Sequence, residues 1–389
     1  MIYIFLTFIT LWGCIYYDFY SQRQYKKIWL LIESFLLIFI VGLRYKVGGD
    51  TLSYMESYNS TDFLYEIKNY DIFTSRHGIL WYMFCYLCKS ISPNFLVFQL
   101  FHAIIVNSII IRFFRMHSKQ YFTAIFLYTI FAYLNYNTEI LRASLAVSIF
   151  LLMGYDALLN KRWYLYAISI IIAWGFHAES FALVLLPFCH ILGKIKINFI
   201  TLACFMTISC GILILLNSFS FLQNLLNDFQ FVVSALDSYS LSFDKTINIF
   251  GYITCAMHVI PCLIAIYISK NITTDTSMTL NRGILFLYVF CIILSLKFPV
   301  IFVRCTDFIR PVIILMLASI SYQSYYIRNK TILIKLMFFF FIFFALFQYK
   351  QGNVGFEYWR RYYPYSSVID PKENLQREMM MYNYRRGNY

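Results

Sequence analysis

Long apolar runs separated by short polar breaks organise almost the whole chain. They lie near 2–18, 28–43, 95–114, 121–136, 139–159, 163–176, 180–193, 197–216, 248–269, 283–297, 301–320 and 332–349. Blocks such as Ile208–Leu216 and Phe338–Leu346 lack the dyad alternation that a membrane barrel strand needs. In hydrocarbon a backbone must satisfy its own N–H and C=O groups, so such blocks become helices. Several fall short of the roughly 20 residues of a full crossing, which leaves their ends loose. The pattern predicts an all-α polytopic membrane protein.

The basic residues give these runs an orientation. The break Ser21–Lys27 holds Arg23, Lys26 and Lys27, so it should face the cytoplasm and the N-terminus should lie outside. The segment 78–91 is apolar but short. Counted as a crossing, it would put Arg112, Arg115 and Lys119 outside and reverse every later loop. Read as an interfacial or re-entrant helix, it leaves the basic loops at 112–119, 160–162, 194–196 and 328–330 all inside. The chain is therefore expected to make about twelve crossings plus one partial helix. Residues 1–349 then form one membrane domain with external loops near 44–94 and 217–247. Residues 350–389 form an external tail, despite Arg360, Arg361, Arg385 and Arg386. The opening MIYIFLTFITLWG has neither a basic leader nor a small-residue cleavage site, and reads as a retained first span.

Composition agrees. Hydrophobic residues make up 60% of the chain and charged residues 13%, with a mean hydropathy of +0.64. A soluble domain carries roughly 25% charged residues, so this one cannot coat a water-facing globule. The net charge of +13 does not point to nucleic acid, because the basic residues punctuate apolar runs and do not cover a soluble domain. The pair Cys85-x-x-Cys88 has no βαβ context and no second pair, so it reads as two neighbours on one helix face.

Polar residues that interrupt the runs carry the candidate chemistry. Gly42-Leu-Arg44-Tyr-Lys46-Val-Gly48-Gly49-Asp50-Thr51-Leu-Ser-Tyr54 begins where the second run ends. Paired glycines let backbone come close to a ligand. Arg44 offers a planar fork for phosphate, and Asp50 can orient it or accept a hydroxyl proton. The plain alternative is a helix exit with a snorkelling arginine. Glu139-Ile-Leu-Arg142 opens a long run, and an arginine at mid-helix costs roughly 2.5–3.5 kcal/mol, so it should line a polar cavity. Helical spacing would pair Glu139 with Arg142. Phe176-His177-Ala-Glu179 breaks two runs; His177 can act as acid, base or phosphate partner, or simply end a helix. Arg304, Asp307 and Arg310 leave a net positive charge in an apolar stretch, which suits an anion. Arg361 with Pro364 and Tyr365 follows the last run as an interfacial anchor or a substrate contact. No P-loop, nucleophile elbow or metal-ligand set is recognisable, so neither metal nor cofactor is expected.

At these residues the chain resembles the EpsG family of bacterial polysaccharide polymerases, related in role to the Wzy O-antigen polymerases. Arg44, Gly48, Asp50 and Tyr54 match an R-x-x-x-G-x-D-x-x-x-Y stretch. Arg142 matches an arginine before a long apolar helix, although Ala143 stands where glutamine is usual and Glu139 where asparagine is common. Phe176-His177, Arg304 with Phe308, and Pro364-Tyr365 follow in order, so the resemblance runs from about residue 40 to 366. It implies a metal-independent, GT-C-like membrane glycosyltransferase in the bacterial cytoplasmic membrane. Its substrate would be undecaprenyl-pyrophosphate-linked oligosaccharide at the outer face, with Asp50, Arg142 and His177 in catalysis. Arg44, Gly48, Tyr54, Glu139, Arg304, Arg310, Arg361 and Tyr365 would contact substrate. A chain-length regulator is a candidate partner beside the lipid bilayer. Two alternatives remain open: a flippase or transporter of lipid-linked sugars, and a membrane O-acyltransferase or O-antigen ligase. The first would want an inverted repeat, which is not seen; His177 with Glu179 keeps the second alive.

Overall fold

A computed structural model of the chain describes residues 2–72, 75, 77–218, 249–270, 276–323, 352–353 and 356–385. The expected span 332–349 and nearly all of the expected loop 217–247 lie outside these residues. The fold is mostly helical, with one two-stranded antiparallel ribbon, Gly352–Asn353 against Phe356–Glu357. Two compact units are formed, one of Met1–Phe181 with Ser321–Tyr389, the other of Ala182–Ile320.

The first unit contains α1 (Ile2–Gly13), which continues into a π-helical turn at Cys14–Phe19, then α2 (Lys26–Gly42), α3 (Thr51–Ser60) and α4 (Phe63–Lys68). After them come α5 (Ile79–Ile91), α6 (Phe95–His117) and α7 (Tyr121–Phe131). A π turn at Asn135–Glu139 leads to α8 (Leu141–Ile149), which passes through another π turn, Phe150–Gly154, into α9 (Tyr155–Leu159); α10 is Trp163–Phe176. Helix starts follow their sequence signals: Asn94 Oδ1 accepts from Leu96 N–H at 2.9 Å, and Asp62 caps α4 through Leu64 and Tyr65 N–H.

Ile2–Phe19, Phe95–His117, Leu141–Leu159, Gly251–Ser269 and Thr276–Leu294 are each long and apolar enough to cross a membrane. Shorter apolar helices accompany them, among them Tyr121–Phe131 and Trp163–Phe176. Two expected spans change shape. The run expected at 283–297 begins earlier, at Thr276, because Arg282 is buried in its first turns. There Arg282 donates to Ser269 Oγ (3.1 Å), Ser269 O (2.9 Å) and Gly193 O (3.3 Å). The run expected at 180–193 is a 3₁₀ segment, Ala178–Phe188, holding Pro187, followed by the short helix Cys189–Leu192. Proline has no N–H for a regular α ladder.

Helix α5 has 13 residues, about 20 Å of helix against a hydrocarbon core of about 30 Å. Both of its ends are tied to neighbouring elements of the same unit. At its start, a Cβ on Gly78 would fall on the carbonyl of Gly175 at the end of α10. At its other end, Lys89 Nζ donates to the carbonyls of Tyr58 (2.8 Å), Asn59 (3.2 Å) and Thr61 (3.0 Å), closing α3. A short apolar helix thus stands where the partial helix is expected at 78–91.

Several buried polar groups are joined to one another. Asp18 Oδ2 accepts from Thr123 N–H (2.7 Å) and Thr123 Oγ1 (2.9 Å), capping α7 from the first span. Tyr128 Oη donates to Asn107 Oδ1 (2.9 Å), Asn107 Nδ2 to Asn137 Oδ1 (2.8 Å), and Asn137 Nδ2 to Tyr133 O (2.8 Å). A polar group in hydrocarbon without a partner would cost several kcal/mol.

The chain after the ribbon lies against the loop that follows α2: Tyr45 N–H donates to Ser366 O and Val368 N–H to Leu43 O, both at 2.8 Å. Residues of the 44–60 and 358–385 stretches therefore pack against one another, which predicts that they lie on one side of the membrane. With the native cysteines replaced, cysteines at Asn59 and Lys372 should react with an impermeant maleimide from the same side, and one at Lys119 only from the other. Labelling of positions 59 and 372 from opposite sides would refute this arrangement.

Candidate functional site

The site starts at the C-terminal end of α2, where the last four carbonyls have no partner inside the helix. All four are met. Leu43 N–H donates to Phe39 O (2.9 Å), Tyr365 Oη to Ile40 O (2.8 Å), Arg44 to Val41 O (2.6 Å) and Gln99 Nε2 to Gly42 O (2.8 Å). Arg44 also donates through Nε to Val47 O (3.0 Å), and its remaining nitrogen reaches Thr51 Oγ1 (3.4 Å). It is 2% exposed, and burial pulls its guanidinium down to about 10, still charged at neutral pH. The sequence suggested a phosphate fork at Arg44; the structure turns that fork inward onto its own chain.

The turn beyond is tight. Lys46 takes a left-handed φ of 50°, and Gly48 a φ of 113°. A Cβ on Gly48 would meet Thr138 Cβ and Thr51 Oγ1 at 2.6 Å, so the sequence needs glycine there for both space and backbone angle. On Gly49 a Cβ would fall on the carboxylate of Glu139. Gly48 N–H donates to Arg361 O at 2.9 Å.

Glu139 is the hub. Its Oε1 accepts from Gly49 N–H (2.7 Å), Tyr362 Oη (2.8 Å) and Thr138 Oγ1 (3.3 Å), and its Oε2 meets Arg361 at 3.4 Å. The expected pair of Glu139 with Arg142 does not form. Glu139 closes a π turn and Ile140 leaves helical geometry, with φ −109° and ψ 51°, so the spacing no longer places both on one helix face.

Arg142, at the start of α8, instead donates to His77 Nδ1 at 2.6 Å and bonds the phenol of Tyr54. Arginine has no acceptor, so Nδ1 must accept and the neutral imidazole carries its proton on Nε2. Arg142 Nε is buried with no hydrogen-bond partner among the described residues. Burial raises the Tyr54 phenol, the carboxylates of Asp50 and Glu139 add to this, and Arg142 opposes it. Asp50 sits exposed at the N-terminus of α3. His177 ends α10, with Nε2 3.8 Å from Glu179 Oε2 and Nδ1 accepting from Glu179 N–H at 3.3 Å.

The first unit thus gathers Arg44, Gly48, Asp50, Tyr54, Glu139, Arg142, Arg361 and Tyr365 around one turn at the membrane face. Gly78 against Gly175 brings the segment next to His77 up to the helix that His177 ends. Arg304 and Arg310 belong to the second unit. There Arg310 pairs with Asp307 at 2.6 Å and donates to the Tyr288 oxygen, which is hydrogen-bonded to His258 Nδ1 at 2.8 Å. No group of His, Cys, Asp or Glu suited to a metal occurs among the described residues.

Sequence reading did not single out His77, Gln99, Tyr362 or Arg377. Gln99 with His102, one turn apart in an apolar run, was the available signal, since His102 Nε2 meets Leu141 O (3.1 Å) and Ser144 Oγ (3.0 Å). Tyr362 is one of 34 tyrosines and carried none.

Helices long and apolar enough to cross a membrane, with buried arginines gathered at helix ends, fit a polytopic membrane protein. The chain belongs to the EpsG family, whose model matches residues 27–367. No curated protein and no solved structure matches it. Family membership points to repeat-unit polymerisation of polysaccharide as the general activity.

Glu139→Ala should lower stability by about 3 kcal/mol, because it strands Arg361, the Tyr362 hydroxyl and the Gly49 N–H together. Glu139→Gln keeps an acceptor for Gly49 and Tyr362 and should cost clearly less. Thermal unfolding in detergent reads both, and an unchanged melting point for Glu139→Ala would remove the hub.

Proposed function

We propose that this protein joins undecaprenyl-pyrophosphate-linked oligosaccharide repeats into surface polysaccharide at the outer face of the bacterial cytoplasmic membrane, as a GT-C-like glycosyltransferase of about twelve spans with an external N-terminus. The observation that carries this is the family match over 27–367, a range that contains every residue of the site around the α2 exit. In the reaction a hydroxyl oxygen of one lipid-linked repeat attacks the anomeric carbon of the growing chain. The bond from that carbon to the pyrophosphate oxygen breaks, and the lipid pyrophosphate leaves with the electron pair.

Each residue then has a distinct task. Arg142 donates to the leaving pyrophosphate; its buried Nε–H, with no hydrogen-bond partner among the described residues, favours it as the anion contact. Asp50, an exposed carboxylate at the head of α3, takes the hydroxyl proton, since Glu139 is already held by four donors. His177, beside Glu179, serves proton transfer at the same face. Tyr54 orients Arg142, while Arg44, Gly48, Glu139, Arg361 and Tyr365 hold the turn from which Asp50 projects. Arg304 and Arg310, with Asp307, form a separate cationic group within the second unit, and contact an anionic part of the substrate in this reading.

A strain lacking the protein should keep single capped repeats and lose the long-chain ladder on gels of surface polysaccharide. Loss of single repeats, with lipid-linked repeats trapped in the cytoplasmic leaflet, would favour a flippase. With purified protein and lipid-linked repeat, Arg142→Lys and Asp50→Asn should each reduce polymerisation on the order of 10²-fold, the scale of one lost transition-state donor. Near-normal turnover in a folded Arg142→Lys variant would make that arginine structural.

A further inference from the structure

We infer that Arg377, on the C-terminal helix Leu375–Arg385, is a positioning residue that fixes the turn Lys46–Asp50. This helix lies beyond the family-matched residues, which end at 367, so the brace is a feature of this chain outside the shared core. The inference rests on the polymerase reading only for its effect on turnover.

Arg377 is 3% exposed. It donates to three carbonyls from separate stretches of chain: Nε to Arg360 O (3.0 Å), one terminal nitrogen to Lys46 O (3.1 Å), and the other to Pro364 O. One planar fork thereby ties the turn after α2 to the segment carrying Arg361, Tyr362 and Tyr365. Its own backbone is anchored, because Asn374 Oδ1 caps the helix by accepting from Arg377 N–H at 3.0 Å.

The residue it holds is the one that needs holding. Lys46 has a left-handed φ of 50°, which a side-chain-bearing residue keeps only when its surroundings over-determine it. The same helix region grips both ends of Lys46. Arg377 takes its carbonyl, while Glu373 and Glu378 each lie 3.1 Å from its Nζ. Burial alone would lower the Lys46 ammonium, but the two carboxylates win and hold it above its ordinary range. Met380 and Met381 bury their side chains against Leu52 at the start of α3. Helix and turn therefore meet through hydrogen bonds, ion pairs and apolar packing together.

A lysine at 377 has a single point of donation and cannot reach three carbonyls in fixed directions. In full-length protein, Arg377→Gln should speed amide hydrogen exchange over residues 45–49 on the order of tenfold, and Arg377→Lys by somewhat less. Exchange in α6 and α8 should stay unchanged. Met379→Ala, an exposed change on the same helix, should leave exchange over residues 45–49 as it was. In the polymerisation assay kcat should fall by about tenfold with KM little altered, as expected when a catalytic carboxylate is displaced and not removed. Unchanged exchange at 45–49 in folded Arg377→Gln overturns the brace. If that variant cannot be purified, Lys46→Gln removes only the ion pairs and must accelerate the same amides; failure there overturns it equally. Faster exchange with unaltered kcat refutes the positioning role. A wild-type protein that does not polymerise at all sinks the polymerase reading and leaves the exchange data to decide the brace.

Discussion

Everything around the site depends on how the C-terminal end of α2 is closed. A helix that ends at a membrane face must find partners for its last carbonyls, and each one left open costs several kcal/mol in an apolar setting. Here the partners come from far along the chain: Gln99 from α6, and Tyr365 from beyond the ribbon. Arg44 supplies the fourth from the exit itself. Once these groups are used to seal the helix, the next residues have little freedom. Lys46 and Gly48 adopt positive φ, Gly49 presses on Glu139, and Asp50 emerges at the head of α3. The site is a by-product of satisfying backbone.

Much of the fold was legible in the sequence because the bilayer imposes a simple rule. Apolar runs became helices, and the short run at 78–91 became a 13-residue helix tied at both ends to its neighbours. The rule fails where a polar side chain is buried by local capping. Asn281 and Arg282 look like loop residues, yet they lie inside a helix because the Arg282 guanidinium closes the ends of two neighbouring segments. The site was legible as a set of positions but not as a set of partners. Spacing by three suggested Glu139 with Arg142, which presumes an uninterrupted helix; a π turn separates them. The partners found in their place, Arg361 and His77, lie hundreds and tens of residues away, and no local pattern encodes such distances.

The arginines divide by what they touch. Arg44, Arg282 and Arg377 end mainly on backbone carbonyls and act as seals for chain ends. Arg361 and Arg310 meet carboxylates, and Arg142 meets an imidazole and a phenol. A guanidinium can serve either purpose because its five donors lie in one rigid plane. A net charge of +13 therefore says little about how many cations face a substrate. Within the first unit, Arg142 keeps a buried Nε–H with no hydrogen-bond partner among the described residues.

The closure of α2 also sets an order on biogenesis. The carbonyls of Ile40 and Leu43 wait for Tyr365 and Val368, a separation of 325 residues in each case. During synthesis the second helix enters the membrane long before those residues leave the ribosome, so its end must stay hydrated or borrow temporary partners until translation is nearly over. Contacts so distant in sequence form late. An incomplete chain thus has its helices but not its turn, and a protein truncated before residue 365 would be inserted yet unsealed.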